Sequence, residues 1–247
     1  MPSPAGRIAG NPMYDARLRE SLPRVEEQIR QARERAGRRD EVRIIAVTKG
    51  HPATAVRAAI AAGLRECGEN RVQELEEKVA ELGRDAVRWH LIGHLQRNKV
   101  KSAIALFDLL HSIDSLRLAK VLSTEAGRAG ATVRGLIQVN ASGEATKGGI
   151  DVGDDASAPL EAVHEIIELP GLEVLGLMTM APFVDDERIL RTTFGRTRRL
   201  LERCRERLPA FAGKELSMGM TNDFEIAVEE GSTMVRLGTI LFGERAK

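Results

Sequence analysis

Apolar residues in the first quarter of the chain follow two different periods. Between residues 20 and 36 they recur at spacings of three and four, which predicts an amphipathic helix with Ser21 as N-cap and Pro23 in its first turn. Residues 42–47 then form a short β-branched run, typical of a strand buried on both faces. The alanine-rich segment 55–62 predicts a second helix that ends at Gly63.

The same alternation continues along the rest of the chain. Seven further strands are predicted at 64–67, 87–92, 106–111, 133–140, 172–178, 215–218 and 233–237, with helices at 72–82, 98–105, 115–129, 159–169, 186–208 and 222–229. Alternating β and α units predict a parallel sheet, and eight such units in 247 residues match the size of a closed (β/α)8 TIM barrel. An open doubly wound α/β sheet is the alternative, because closure leaves no mark in a sequence.

The ends of the chain and its composition limit the setting of this barrel. Residues 1–14 hold prolines and glycines without an apolar core, which predicts a disordered leader, and residues 15–247 are predicted as one domain. The sequence contains no uncharged apolar stretch of about 18 residues, so a membrane span is not expected. Cys67 and Cys204 lie far apart without a pairing pattern, as expected in the reducing cytoplasm.

Charge argues against polyanionic partners. The chain has 37 Lys plus Arg and 36 Asp plus Glu, with both signs interspersed, whereas nucleic-acid binders usually carry a basic excess or stripe. The arginine-rich segment 188–207 has an apolar stripe as well, so it predicts an outer helix with one solvated face. The predicted helices show no exposed apolar face of the kind an obligate dimer needs, so a monomer is expected.

Candidate chemistry is expected where the predicted strands end, because TIM barrels build their sites there. Lys49 follows the first strand, whereas the other seven lysines lie in predicted helices, in loops or at the end of the chain. Partial desolvation at such a rim lowers the pKa of an amine and frees its lone pair, as Schiff-base formation with an aldehyde requires. A lysine that only extends its ammonium into solvent is the alternative.

Two glycine-containing turns follow the last two predicted strands, at 217–221 and at Gly238-Thr239. Backbone N–H groups of such turns, together with Ser and Thr hydroxyls, can bind a phosphate monoester, and barrels often bind phosphate in these two loops. The alternative is a pair of ordinary turns in which residues such as Asn222 cap the next helix.

Arg236 interrupts an otherwise apolar strand. A buried guanidinium is costly unless it is paired, so it is expected to face a specific acceptor. A pyridine ring nitrogen is one such acceptor, and it would remain unprotonated beside a group that does not release its proton. A carboxylate on a neighbouring strand is the alternative. His90 and His94 do not share a helix face and have no third ligand at a useful spacing, so no metal site is predicted.

Together these residues resemble the motifs of the pyridoxal phosphate homeostasis protein family, which is similar to the N-terminal domain of alanine racemase. The matching segments run in order along the chain: 46–49 (AVTK), 68–74 (GENRVQE), 89–99 (WHLIGHLQRNK), 111–114 (HSID), 138–140 (QVN), 217–220 (SMGM) and 231–239 (GSTMVRLGT). The resemblance implies a racemase-like barrel that lacks the racemase's second domain.

The resemblance also implies the cofactor and its site. Pyridoxal 5′-phosphate would be held as an aldimine on Lys49, with Asn70 beside it and Arg236 at its pyridine nitrogen. The implied phosphate contacts are Ser217, Gly219, Met220, Thr221, Gly238 and Thr239. Family members are thought to buffer the cofactor and deliver it to apo-enzymes that depend on it, without established catalysis.

Some residues depart from the family pattern. Gly50-His51 stands where relatives more often have a Thr or Lys pair, so His51 is expected either to touch the cofactor region or to cap the next helix. The competing function is an amino-acid racemase of the same fold type. Such an enzyme needs a second acid/base, typically a tyrosine, whereas the one tyrosine here, Tyr14, falls in the predicted leader.

Overall fold

The computed structural model describes residues 11–144, 147–153 and 157–244. Eight of its strands are parallel and close into a barrel in the order β1-β2-β3-β4-β5-β7-β8-β9, with β9 paired to β1 and the short β6 added beside β5. The strands are β1 Arg43–Val47, β2 Glu66–Glu69, β3 Arg88–Leu91, β4 Leu109–Ile113, β5 Val133–Asn140, β6 Ile150–Asp151, β7 Leu172–Met178, β8 Glu215–Ser217 and β9 Met234–Leu237. The predicted (β/α)8 barrel is confirmed, and the open sheet is wrong because β4 and β5 pair directly.

Helices connect the strands on the outside of the barrel. They are α1 Pro12–Arg35, α2 Ala53–Ala61, α3 Val72–Leu82, α4 Val100–Ala103, α5 Leu116–Ala129, α6 Ser157–Ile167, α7 Glu187–Arg207, α8 Phe224–Glu229 and α9 Thr239–Phe242. A 3₁₀ turn, Arg97–Lys99, precedes α4, so the predicted helix 98–105 is split in two. Within the described ranges, no helix is both long enough and apolar enough to cross a membrane.

The first helix begins earlier than predicted. Asn11 is its N-cap, accepting a hydrogen bond from the Met13 N–H, and Pro12 occupies the first turn, so the helix passes through Ser21 and contains Pro23 in its interior. An internal proline costs about 3 kcal/mol. The apolar stripe from Tyr14 to Ala32, buried against the barrel, offsets that cost. Residues 1–10 of the predicted leader lie outside the described residues.

The core has two layers. The larger one lies between the barrel and its helices and includes Trp89 and Phe194, both fully buried. The smaller one consists of Ile45, Leu109, Leu136, Met178 and Met234, each from a different strand. Because a TIM barrel is normally filled by apolar branched side chains, this small inner layer leaves room for buried polar residues among the strands.

Candidate functional site

A cavity of about 380 Å³ opens where the strands end. Seven of the nine predicted site residues line it: Lys49, Asn70, Met220, Thr221, Arg236, Gly238 and Thr239. A larger surface groove of about 650 Å³ lies near His94 and Arg117. That groove has no lysine in its lining, so the smaller cavity is the candidate site.

Lys49 is the second residue after β1, and a hydrogen bond to each neighbouring residue holds its backbone. The preceding carbonyl, that of Thr48, accepts a 2.7 Å hydrogen bond from Lys78 Nζ. The following N–H, that of Gly50, donates to Glu74 Oε2 at 2.8 Å. The amine of Lys49 therefore extends from a strand end whose position is fixed by α3, the helix that carries both partners.

The same buried lysine joins β1 to β2. Lys78 Nζ lies 2.6 Å from Glu69 Oε1, and the Thr48 hydroxyl donates to the same carboxylate. Burial raises the pKa of Glu69, while the neighbouring Lys78 ammonium lowers it. Glu69 Oε2 is buried without a hydrogen-bond partner among the described residues. Since Asn70 is the next residue along the chain, this ion pair also fixes the position of Asn70.

Asn70 lines the cavity and occupies the space that a Cβ at residue 93 would fill. A Cβ at Gly93 would lie 2.2 Å from the carbonyl oxygen of Asn70 and 2.6 Å from Asn70 Oδ1, closer than real Cβ atoms approach. The carbonyl of Gly93 is itself held by the Ser112 hydroxyl at 2.6 Å. Gly93 is therefore a supporting residue that the sequence analysis did not identify.

Arg236 is 5% exposed and makes three hydrogen bonds. Its Nη1 donates to the carbonyl of Ser217 at 2.7 Å and to the Ser217 hydroxyl at 2.6 Å, and its Nη2 donates to the carbonyl of Thr179 at 3.0 Å. The hydrogen bonds of the guanidinium therefore go to neutral acceptors rather than to a carboxylate on a neighbouring strand. Burial lowers the pKa of Arg236 to about 10, and nearby Asp223 acts in the opposite direction.

Ser217 and Gly219 do not line the cavity. Ser217 is fully buried below it, where its hydroxyl contacts Arg236 and also lies 2.9 Å from His111 Nδ1. Gly219 has φ +91°, and a Cβ there would lie 2.7 Å from Ala227 Cβ. Its carbonyl accepts from the Arg236 N–H at 3.0 Å. Both residues support Arg236 and the turn that follows β8.

Asn222 and Asp223 also differ from the sequence expectation. Asp223, rather than Asn222, is the N-cap residue of α8, and Asn222 lines the cavity. Asp223 Oδ1 accepts a 2.6 Å hydrogen bond from the Met220 N–H, which closes the turn. Burial raises the pKa of Asp223.

Two further features complete the cavity: His51, at one of the two positions expected for it, and a loop that had no sequence signal. His51 lines it, and His51 Nδ1 lies 3.1 Å from the Tyr14 hydroxyl, which is buried in α1 rather than placed in a leader. The loop after β7 adds Met180, Ala181, Pro182 and the 91% exposed Phe183. Contacts between the start of the chain and a strand end depend on tertiary packing, which residue patterns do not reveal.

Known proteins are similar to this chain in both sequence and fold. The family described as "Alanine racemase, N-terminal domain" matches residues 21–246. The pyridoxal phosphate homeostasis protein of Aquifex aeolicus (strain VF5) is 40% identical over 227 residues, which is 92% of this chain and 97% of that protein.

Solved structures are similar over the whole barrel. PipY of Synechococcus elongatus PCC7942, with PLP bound, is 37% identical with a TM-score of 0.76, covering 87% of this chain and 99% of PipY. Alanine racemase of Clostridium difficile 630, in complex with cycloserine, shares the fold with a TM-score of 0.75 at 14% identity. In that comparison 94% of this chain matches 60% of the racemase chain.

Proposed function

This chain belongs to the pyridoxal phosphate homeostasis protein family, and on that premise we propose that it binds pyridoxal 5′-phosphate (PLP) in the cavity at the strand ends. Its role is in the intracellular homeostasis of PLP, the active form of vitamin B6. It holds the cofactor and releases it rather than using it for catalysis.

The residues that line the cavity fit the three functional parts of PLP. Lys49 supplies an amine for the aldehyde, and Arg236 supplies a hydrogen-bond donor for the pyridine nitrogen. Thr221 and Thr239 supply hydroxyl donors for the phosphate, beside the backbone at Gly238. The volume of about 380 Å³ lies within the range of small-molecule sites.

The observation that carries the proposal is the placement of Lys49 and Arg236 on one cavity by neighbouring strands. Strand β1 pairs with β9 in the register Ala46 to Leu237, so both side chains emerge beside the same seam of the barrel. When bound, PLP supplies an aldehyde that a lysine amine can hold as a Schiff base and that another amine can displace. We assign this lysine to Lys49.

Arg236 favours storage over catalysis. A guanidinium only donates hydrogen bonds, and with a pKa of about 10 it stays charged at neutral pH. A pyridine nitrogen that accepts from it remains unprotonated and withdraws electrons weakly, which suits a carrier. A racemase would need a second acid/base at the cavity, typically a tyrosine, whereas the hydroxyl of Tyr14, the one tyrosine of the sequence, is buried against His51 and does not line the cavity.

We further propose that the protein is a cytoplasmic monomer that delivers PLP to apo-enzymes. Cys67 and Cys204 are both unpaired and buried, and burial raises the pKa of each thiol to about 12. Such thiols are compatible with a reducing compartment. The exposed mouth of the cavity, formed partly by Phe183, gives a recipient access to it.

The test is reductive trapping. Purified protein loaded with PLP is reduced with borohydride, and the modified lysine is located by peptide mass spectrometry. Label at Lys49 is expected, and Lys49→Ala abolishes it together with the absorbance of the bound cofactor. Lys120→Ala, an exposed lysine on α5, is the control and keeps both signals. Label on another lysine, or an unchanged spectrum in Lys49→Ala, contradicts the assignment.

Catalysis is tested separately. Deuterium exchange at the α-carbon of amino acids is measured with the loaded protein in heavy water. Exchange no faster than that produced by free PLP is expected. Exchange that is far faster and depends on Lys49 would instead support the racemase.

A further inference from the structure

A line of buried polar side chains runs through the barrel below the cavity. From Arg236 Nη1 it is 2.6 Å to Ser217 Oγ, and from Ser217 Oγ it is 2.9 Å to His111 Nδ1. From His111 Nε2 it is a further 2.8 Å to His90 Nδ1. None of the four residues is more than 5% exposed. We call these residues the Arg236–His90 chain.

The Arg236–His90 chain crosses the inside of the barrel. Arg236 and Ser217 lie on the paired strands β9 and β8, and His111 and His90 lie on the paired strands β4 and β3. Strands β8 and β4 are not neighbours, since β5 and β7 separate them in the sheet. The bond between Ser217 and His111 therefore spans the interior, in the space left by the small inner apolar layer.

Arg236 fixes the direction of every hydrogen bond in the Arg236–His90 chain. A guanidinium has only donors, so the Ser217 oxygen accepts from it and the Ser217 hydroxyl must donate elsewhere. His111 Nδ1 is its acceptor, which leaves the proton of neutral His111 on Nε2. That N–H in turn donates to His90 Nδ1, so neutral His90 also carries its proton on Nε2.

The chain ends beside a carboxylate at the opposite end of the barrel. His90 Nε2 lies 3.5 Å from Glu66 Oε2 without forming a hydrogen bond, and each of these two atoms is buried without a hydrogen-bond partner among the described residues. Arg43 and Arg88 lie 3.4 and 3.3 Å from the other oxygen of Glu66. The hydrogen bonds thus run from a cation at the cavity to His90, which lies beside an anion at the far rim.

Burial and the neighbouring charges favour the neutral form of both histidines. Burial lowers the pKa of His90 to about 3 and that of His111 well below its usual range, and the positive charges of Arg43 and Arg236 add to the effect. The chain therefore holds Arg236 without placing a counter-ion against its guanidinium. Because these supporting side chains are neutral, the positive charge of Arg236 remains available to an acceptor that enters the cavity.

We propose that His111 and His90, acting through Ser217, are positioning residues that orient Arg236 toward the pyridine nitrogen of PLP. The inference rests on the proposed function of the cavity. It also gives Ser217 a different role from the phosphate contact implied by family resemblance: its hydroxyl has one acceptor below and one donor above, so it is committed to Arg236.

The first test uses substitutions at His111. His111→Leu removes the acceptor of the Ser217 hydroxyl, whereas His111→Asn offers an amide oxygen near the position of Nδ1. Because the Ser217 hydroxyl then has no acceptor for its proton, it rotates toward another group and its oxygen aligns poorly with Arg236, so His111→Leu is expected to weaken PLP binding about 10- to 100-fold and to shift the absorbance of the bound cofactor. His111→Asn is expected to recover most of the affinity. His164→Leu, on the exposed surface of α6, is the matched control.

Dissociation constants are measured by fluorescence titration with PLP, after circular dichroism has shown that each variant is folded. A folded His111→Leu protein with the affinity and spectrum of the unsubstituted protein overturns the inference. Failure of the unsubstituted protein to bind PLP would instead overturn the proposed function, so the two failures are distinguishable. A purely structural role would lower the midpoint of thermal unfolding and leave the cofactor spectrum unchanged.

A second measurement needs no variant and no cofactor. The ¹⁵N spectra of the ring nitrogens of histidine-labelled protein distinguish the two neutral tautomers and the imidazolium. His90 and His111 are expected as neutral rings with the proton on Nε2 at pH 6 and above. A proton on Nδ1 of His111 would reverse the bond to Ser217 and overturn the inference, even where His111→Leu does not fold.

Discussion

At the scale of single residues, Lys78 forms a buried ion pair that supports the cavity from outside its lining. Its ammonium neutralises the buried carboxylate of Glu69, and both partners are less than 10% exposed. Lys78→Met leaves that carboxylate uncompensated, so the free energy of unfolding should fall by roughly 3–5 kcal/mol. Denaturant titration measures it, and the exposed pair Arg24 and Glu20 gives the control Arg24→Ala, expected to leave stability nearly unchanged. A small loss in Lys78→Met would mean that Glu69 is protonated in the folded state.

Gly93 matters because it has no Cβ where Asn70 packs against it. Gly93→Ala would push its Cβ against Asn70, so a weaker affinity for PLP and a lower stability are expected. Gly127→Ala is the matched control, since a Cβ there meets nothing within 4 Å and alanine favours helix α5 by about 1 kcal/mol. Titration with PLP and thermal unfolding measure both effects. Unchanged affinity in a folded Gly93→Ala protein would show that Asn70 does not contribute to PLP binding.

Among the helices, α1 carries an avoidable defect in Pro23. This proline is exposed and lies inside the helix, where it lacks the N–H that would bond to the carbonyl four residues earlier. Pro23→Ala should therefore raise the free energy of unfolding by about 1–3 kcal/mol, less the greater freedom of the unfolded chain. Pro12→Ala, in the first turn of the same helix, is expected to give no gain. Denaturant titration compares them, and a loss of stability in Pro23→Ala would show that α1 is interrupted there.

The elements of the barrel could be predicted because apolar runs and helical periods alternate regularly, but their ends could not. The predicted strand 64–67 lies at Glu66–Glu69 instead, since Glu69 is buried through its pairing with Lys78, and a charged residue resembles a loop in the sequence. Strand β4 begins at Leu109 rather than at residue 106, because Phe107 packs in the outer core.

The residues of the candidate site could likewise be predicted only in part. Lys49 and Arg236 could be predicted because each interrupts or ends an apolar strand and so requires a chemical reason. His90 and His111 carry the same signal, but their partner Ser217 lies across the barrel. Which strands face each other depends on closure, and the sequence pattern contains no information on closure.

For the whole molecule, the buried histidines predict a loss of stability in mild acid. His90 and His111 bind protons in the unfolded chain below about pH 6.5, but in the folded chain burial lowers the pKa of His90 to about 3 and that of His111 well below its usual range. The unfolded state therefore binds more protons, and stability, fully present above pH 6.5, falls as the pH decreases. Between pH 7 and pH 5 the two histidines together should remove about 4 kcal/mol.

The contribution of the two histidines to the loss of stability is measured by comparison with a variant, because other groups also titrate between pH 7 and pH 5. The pKa values of Glu69 and Asp223 are raised by burial, so their protonation stabilises the folded state as the pH falls. The difference in unfolding free energy between the unsubstituted protein and His90→Asn/His111→Asn should therefore change by about 4 kcal/mol from pH 7 to pH 5, while His164→Asn leaves the pH dependence unchanged. A parallel pH dependence in all three proteins would mean that the histidine pair is protonated without cost, and the buried chain below Arg236 could not then be neutral.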